Sequence, residues 1–475
     1  MSTLLAVTLL AHPFAIRPKF SWDFVGNMSF IHLCNESGLF NAEALDTIAK
    51  FPLVTIEKGQ GFLDGSGRFA EAKIVEQLTA VKRADPTIST VFYMNSVLDW
   101  YFYEMHETFL KHPAWWLYDS NDPSQPVKCH GDSTFNPPKQ GMLIFDHAKP
   151  EVRAFWQSVC ASAVASGVVD GCFSDSSQPG SHATAKHLNM SYNAQFESGK
   201  VTTMANVTAT FGGRAGAPYA GSTGVLIGKK PDQQGINAFQ IEFFDNSEAS
   251  IVELLAGVAK GYLVEAHTHV VDDMGCASPQ MESVVAAFLI GAGVDSYFGS
   301  GAWISKSTLD VTQRWCPPLF ERPLGSPLAD AAKNASGVYA RAFASGTKVF
   351  FDTRSNVGQI WWGGAPPAPA PAIACGPTCS STLLESTTFA NDDVGVAKAA
   401  ESVEACCARC AGEPRCVQWA WHLAASGKWP RNACHLCGAR ALRRAHGGVT
   451  SGIMNRTHSS LLQRATVLRE ATTSR

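Results

Sequence analysis

The chain has 475 residues, 45% of them hydrophobic and 17% charged, with a formal net charge of −3. That length suits two or three domains. The near-neutral balance gives no electrostatic reason to expect nucleic acid or an anionic membrane surface as a partner, and the short basic cluster Arg440, Arg443, Arg444 reads as a solvated face.

The first apolar run, Leu4–Ala11, resembles the apolar region of a signal peptide, with Ala11 and Ala15 as small residues for cleavage. It is too short to span a bilayer. Residues 1–15 are therefore expected to be a leader. Eight strand-like runs follow: Met28–Cys34, Leu53–Lys58, Thr90–Asn95, Gly171–Asp175, Gly224–Lys229, Ala238–Phe243, Tyr262–His267 and Asp295–Ser300. Helical periodicity fills most of the gaps, over Ala42–Lys50, Ala70–Arg83, Pro150–Ser166, Tyr192–Phe211, Ser247–Ala259 and Pro279–Ala292. Strands alternating with helices indicate parallel βα units. Eight of them over this length predict an α/β fold, a (β/α)8 TIM barrel within residues 20–362. An insertion rich in aromatics (Trp100, Tyr101, Phe102, Tyr103, Trp115, Trp116, Tyr118) separates the third strand from the fourth. Beyond the barrel, Val338–Phe343, Thr347–Asp352 and Gln359–Trp362 predict a small β appendage.

A Pro/Ala-rich stretch, residues 363–374, cannot build a core and reads as an extended linker. Of fourteen cysteines, eight crowd into Cys375–Cys437. That density predicts disulfides formed in an oxidising compartment, and hence a secreted or cell-surface location. Six Asn-x-Ser/Thr sequons (Asn27, Asn35, Asn189, Asn206, Asn334, Asn455) fit a secreted glycoprotein. Residues 455–475 read as a polar, disordered tail. No later segment reads as a membrane span.

The C-terminal strand ends of a barrel form its active face. Two predicted strands end there in carboxylates, Asp175 and Glu242. Two carboxylates flanking one bond are the minimum equipment for glycoside hydrolysis. Asp175 is read as nucleophile or base. Asp170, at the other end of that strand, is read as a structural cap. Glu242 lies among Phe239, Ile241, Phe243 and Phe244; burial favours the protonated carboxyl, as an acid requires. A buried pair with Lys229 or Lys230 is the competing reading. Glu57 is a third candidate, able to bond substrate hydroxyls or orient another acid. Lys58 is not expected to share its face, because neighbours in a strand point opposite ways.

Asn95, Asp99, Trp100, His267 and Trp303 complete the expected substrate contacts, with Asp146 a further candidate in the insertion. His267 and His269 are spaced to share one strand face and could hold a metal with Asp272 or Asp273. A sugar-binding role for His267 is favoured, and neither metal nor cofactor is expected. Esterase, kinase and dehydrogenase motifs are missing: no G-x-S-x-G, P-loop or dinucleotide glycine pattern stands in a convincing context.

The segments Phe51–Glu57, Phe92–Ser96, Lys149–Arg153 and Val169–Asp175 resemble hypothetical glycoside-hydrolase TIM barrels, distantly related to the endo-α-1,4-polygalactosaminidase class. The resemblance covers roughly Phe20–Trp362, including Tyr339–Gly346 of the appendage. It implies that Asp175 and Glu242 are the catalytic acids. The family pattern departs at Ser176-Ser177, where no further acid follows Asp175, and in the aromatic insertion.

Residues 375–454 resemble a PAN/apple module. Ala400–Cys410 matches its cysteine-bearing helix, and Cys416–Trp421, Cys434–Leu436 and Ser451–Ile453 match its strands. The resemblance implies disulfides Cys410–Cys416 and Cys406 or Cys407 with Cys434, while Cys375, Cys379 and Cys437 close the ends. It also implies a module that binds protein or carbohydrate without catalysis. The combined expectation is a secreted glycosidase held on a polysaccharide or glycoprotein. The alternative is a non-catalytic lectin or adhesin on a degenerate barrel, and a metal-dependent hydrolase is a minor third.

Overall fold

The computed structural model describes residues 18–129, 141–211, 226–228, 230, 232–269, 278–305 and 307–363, together with Cys406 and five strands within 381–454. The leader, most of the linker, the tail and Cys407, Cys410 and Cys416 lie outside the described residues. The chain divides into two compact units, the second comprising residues 273–278 and 365–475.

Eight parallel strands form one sheet in chain order: β1 (Phe30–Leu33), β2 (Leu53–Ile56), β3 (Ser89–Asn95), β4 (Gly171–Asp175), β5 (Leu226–Gly228), β6 (Ala238–Ile241), β7 (Leu263–Thr268) and β8 (Ser296–Ser300). The sheet closes on itself. Ser29 bridges Phe298, Cys34 bridges Ile304, and the Cys34 amide donates to the Trp303 carbonyl at 2.9 Å. The result is the expected (β/α)8 barrel. All eight strands fall within a few residues of the spans read from the sequence.

The helices form where apolar spacing gives one buried stripe. In α2 (Ala70–Ala84), Ala70, Ile74, Leu78 and Val81 are buried, and Lys82 and Arg83 sit in the last turn, where they complement the helix dipole. In α4 (Pro150–Ala165), Pro150 opens the first turn and Val152, Trp156, Cys160 and Ala163 face inward. Connecting helices α1 (Ala42–Ile48), α3 (Glu104–Leu110), α5 (Met190–Phe211), α6 (Glu248–Ala259) and α7 (Pro279–Gly291) complete the outer layer. At Gly299 of β8 an added Cβ would lie 2.6 Å from the Phe30 ring, so glycine lets that ring fill the barrel interior.

Strands 338–342, 348–352 and 357–361, with a short strand at 332–333, form the antiparallel appendage. It packs on α7, whose residues Met281 and Ser283–Gly291 are all buried. Arg341 donates to the carbonyls of Leu289 and Ala292 (2.9 and 2.5 Å), satisfying orphan acceptors at the C-terminus of α7. Asp170 is the structural group the sequence suggested. Its Oδ2 accepts from Lys82 Nζ (2.6 Å) and the Thr90 amide (2.9 Å), tying the base of β4 to β3.

A disulfide joins Cys160 of α4 to Cys172 of β4 across a sequence separation of 12. Both cysteines are buried. The sequence had pointed to the C-terminal cluster, not to this pair. Closing so short a loop is worth ~3 kcal/mol in chain entropy. Replacing both cysteines with serine is therefore expected to lower Tm measurably by calorimetry; an unchanged Tm would show that the bond adds nothing. Among the described residues no helix is long and apolar enough to cross a membrane.

In the second unit, the described strands form one antiparallel sheet, in which 418–422 lies between 433–437 and 442–454. Cys406 is buried and disulfide-bonded.

Candidate active site

The C-terminal rim of the barrel gathers carboxylates from β2, β4 and β6. In the sheet order, β4 stands two places from β2 and two from β6. Asp175 and Glu242 are thus about a quarter of the barrel apart rather than across its mouth. Glu57 stands equally far from Asp175 on the other side.

Asp175 ends β4, half-buried. Tyr93 Oη donates to its Oδ2 at 2.6 Å and Asn95 Nδ2 to the same oxygen at 3.3 Å, while the Ser176 amide donates to Oδ1 at 2.7 Å. Donors on both oxygens favour the ionised form and fix its orientation. Packing fixes the strand end itself. Ser96 donates to the Asp175 carbonyl through both its amide and its hydroxyl, each at 2.8 Å, and Trp156 Nε1 donates to the Asn95 carbonyl at 2.9 Å. Asn95 Oδ1 is taken by the amides of Val97 and Leu98. Its amide nitrogen is thereby aimed at Asp175 and at Ser176 Oγ (3.1 Å).

Ser176 adopts a left-handed backbone (φ 60°) and its hydroxyl meets His182 Nε2 at 2.8 Å. His182 and Ala183 are also left-handed (φ 56° and 53°). Three strained non-glycine residues in the loop after β4 are the kind of local cost found where chemistry dictates geometry.

Glu57 departs from the sequence expectation. β2 ends at Ile56, so the alternation of a strand no longer governs the next two residues. Lys58 turns back and its Nζ lies 2.7 Å from Glu57 Oε2. Its ammonium also sits 4.5 Å over the Tyr93 ring and 5.3 Å from that of Trp100. Burial pushes the Glu57 carboxyl up, but Lys58 and His32 outweigh it and hold Glu57 below its ordinary range. Burial likewise pushes the Lys58 ammonium down, and the charges of Glu57 and Asp175 more than reverse this.

His32, on β1, did not stand out in the sequence. Its Nε2 lies 3.4 Å from Glu57 Oε1, and its Nδ1 faces Gln240 Nε2 at 3.3 Å. Gln240 in turn donates to Glu265 Oε2 at 2.8 Å. A continuous polar chain therefore runs through the barrel: Glu265, Gln240, His32, Glu57, Lys58, then Tyr93 and Asp175. Apart from the chain neighbours Glu57 and Lys58, the members come from different strands, and formation of the barrel brings them together. Glu265 is fully buried.

Glu242 lies just past β6, in a turn and half-buried. The expected apolar enclosure is only partial: Phe239, Ile241 and Phe244 are buried but Phe243 is 71% exposed. Lys230 pairs with Glu253 at 3.0 Å, and Lys229 lies outside the described residues. The Glu242 carbonyl faces His267 Nδ1 at 3.4 Å.

His267 is buried and stacks on Trp303, centroids 3.9 Å apart and planes 23° apart. Burial, then the neighbouring His269 and His32, hold its pKa well below the ordinary histidine value, so it is neutral. The His267 and His269 rings are 4.7 Å apart. Among the described residues no group of three or more His, Cys, Asp or Glu side chains is placed to hold a metal; Asp272 and Asp273 lie outside them. Trp303 is half-buried, also against His32 at 4.6 Å.

The remaining predicted contacts are placed differently. Asp99 is buried with its carboxylate 2.6 Å from His106 Nδ1, a pair internal to the insertion rather than a rim group. Burial pushes the Asp99 carboxyl up, with His106 opposing. Asp146 is also buried, bound by Tyr192 Oη (2.5 Å) and Lys149 Nζ (2.9 Å). Trp100 is largely buried and packs near Lys58.

Tyr93→Phe removes a hydroxyl that donates to the Asp175 carboxylate. The acid limb of any activity carried by that carboxylate is expected to move to higher pH, because its charged form loses a donor. A pH–rate profile identical to the wild type would show that the hydroxyl does not act on Asp175.

A closed parallel barrel whose C-terminal rim sets hydrogen-bonded carboxylates beside aromatic rings is built as a glycosidase. Residues 82–347 match the model of hypothetical glycosyl hydrolase family 15. That is more than half of the chain, and the chain belongs to this family. Similar solved structures include alpha-L-fucosidase isoenzyme 2 from Paenibacillus thiaminolyticus (12% identity, TM-score 0.39, covering 60% of this chain and 48% of that one). Ega3 of Aspergillus fumigatus in complex with galactosamine is another (13%, 0.36, 62% and 96%). So is the alpha-galactosidase from Lactobacillus brevis (10%, 0.37, 90% and 55%). The chain spans about half the length of the first of these. No curated protein matches it.

Proposed function

We propose that the chain is a secreted glycoside hydrolase acting on a polysaccharide or a glycoprotein glycan, with Asp175 as the ionised carboxylate at the reacting carbon. The observation that carries this is the setting of Asp175: a strand-end carboxylate with donors on both oxygens and the Lys58 ammonium nearby. Glu242, half-buried on the rim two strands away, is the proton donor to the leaving oxygen. Glu57 and Lys58 are positioning residues that hold the field around Asp175. Trp303, backed by His267, supplies an aromatic surface for a sugar ring. A carboxyl separation near ~5 Å implies retention of configuration and about 6.5–9.5 Å inversion.

Secretion is supported by the Cys160–Cys172 disulfide and by disulfide-bonded Cys316 and Cys406, since such bonds persist in oxidising compartments. The C-terminal unit serves as an apple module that holds the enzyme on its substrate or on a protein ligand.

The test is hydrolysis of a glycan panel by the full chain, followed by Glu242→Gln. Cleavage of natural glycans is expected to fall by ~10²–10⁴-fold. Aryl glycosides with leaving groups that need no proton should lose far less. Equal losses on both would remove the acid role from Glu242, and binding of glycans without any cleavage would overturn the glycosidase reading.

A further inference from the structure

Beside the rim, a cleft of about 440 Å³ opens between the loop after β2 and the start of the aromatic insertion. That volume is within the ~300–1,000 Å³ range of small-ligand sites. Phe62, Tyr101 and Phe102 form one wall, with Phe62 5.1 Å from Phe102 and 6.1 Å from Tyr101, all three half-buried. Lys58 lines the cleft and also bonds Glu57, so the cleft shares a wall with the carboxylate network.

Its lining carries three cations, Lys58, Arg68 and Lys73, each paired with a carboxylate. Two of these cations are committed: Lys58 to Glu57, and Lys73 to Asp64 (2.9 Å) and the Gly61 carbonyl (2.7 Å). Arg68 differs. Its partner Glu76 is 44% exposed and its own side chain 49% exposed. An exposed pair of this kind is worth little and yields readily to a better acceptor. A guanidinium fork matches a carboxylate or sulfate with two parallel hydrogen bonds.

We propose that this cleft is a distal subsite for an acidic sugar unit of the glycan whose bond is cleaved at Asp175. The unit's carbon-bound face packs on Phe62, Tyr101 and Phe102, and its anionic group displaces Glu76 from Arg68. The substrate class is thereby an acidic oligo- or polysaccharide, bearing uronate or sulfate groups. This rests on the glycosidase reading for the cleavage site, but not for binding.

The experiment is calorimetric titration of the full chain carrying Asp175→Asn, so that cleavage does not intervene. The probes are a galacturonate hexasaccharide, its carboxyl-reduced neutral counterpart and a sulfated oligosaccharide of equal length. At least one acidic probe is expected to bind about tenfold more tightly than the neutral one, and adding Arg68→Gln should abolish that difference. Which acid is preferred identifies the group. Tyr101→Ala should weaken all three probes. Equal affinity for acidic and neutral probes, no binding of any probe, or insensitivity to Arg68→Gln overturns the subsite. Wild-type chain incubated with the same probes separates the two readings. Cleavage without dependence on Arg68 sinks the subsite alone, and Arg68-dependent binding without cleavage sinks the glycosidase alone.

Discussion

Asp175→Asn is expected to reduce glycan cleavage by at least ~10³-fold, within the range a catalytic carboxylate contributes. The substitution is nearly isosteric. The asparagine carbonyl can still accept from Tyr93 Oη, and the Ser96 bonds run to the backbone of residue 175, not its side chain. The fold should therefore survive, as far-ultraviolet circular dichroism would show. What is lost is the negative charge, which no neighbour can supply at that position, because Glu57 is already paired with Lys58. If the wild type cleaves a glycan and the variant cleaves it at a near-wild-type rate, Asp175 is not the reacting carboxylate. Attention would then move to Glu57 and Glu265.

Lys58→Met is expected to cost ~3–5 kcal/mol of stability at neutral pH, the usual price of leaving one member of a buried pair without its partner. Glu57 is only 4% exposed, and His32 alone cannot replace an ammonium at 2.7 Å. The pH dependence has a definite sign. Glu57 titrates below its ordinary 4.5 in the fold, so its stabilising share is full above 4.5 and disappears as pH falls through the lowered value. Lys58 titrates above its ordinary 10.5, so its share is full below 10.5 and disappears as pH rises past the raised value. The Tm gap between wild type and Lys58→Met should be widest near neutral pH and close on acidification, starting above 4.5, because burial raises the Glu57 carboxyl once the Lys58 charge is gone. The double variant Lys58→Met/Glu57→Gln should recover part of the loss, since no unpaired charge remains. A gap that widens on acidification, or a double variant no better than the single one, would contradict a charged pair.

Much of the barrel was legible because its signals are local. Apolar runs bounded by Gly, Pro and Asp mark strands, and α2 and α4 carry a buried stripe at helical spacing. The strand Gly171–Asp175 was read to the residue, and with it the placement of Asp170 at the base and Asp175 at the rim. Contacts beyond a strand end escaped. Lys58 reaches Glu57 because the chain turns after Ile56, a backbone event that strand alternation does not predict. Asp99 and Asp146 were placed in the insertion as substrate contacts and do lie there, but both are buried against internal partners, His106 in one case and Tyr192 with Lys149 in the other. The Cys160–Cys172 bond was hidden because it depends on how α4 lies against β4.

By itself the sequence determined the order of the elements, the C-terminal position of Asp175, Glu242 and Glu57, and the separate cysteine-dense segment. These follow from periodicity, turn residues and composition, which act over a few residues. Only the tertiary structure decided which groups meet. His32, Gln240, Glu265 and Lys58 come from four places in the chain, and Tyr93 stands between them and Asp175. Closing the sheet between β1 and β8 supplies that meeting, and the low-dielectric interior it encloses sets the charge states of Glu57 and Lys58.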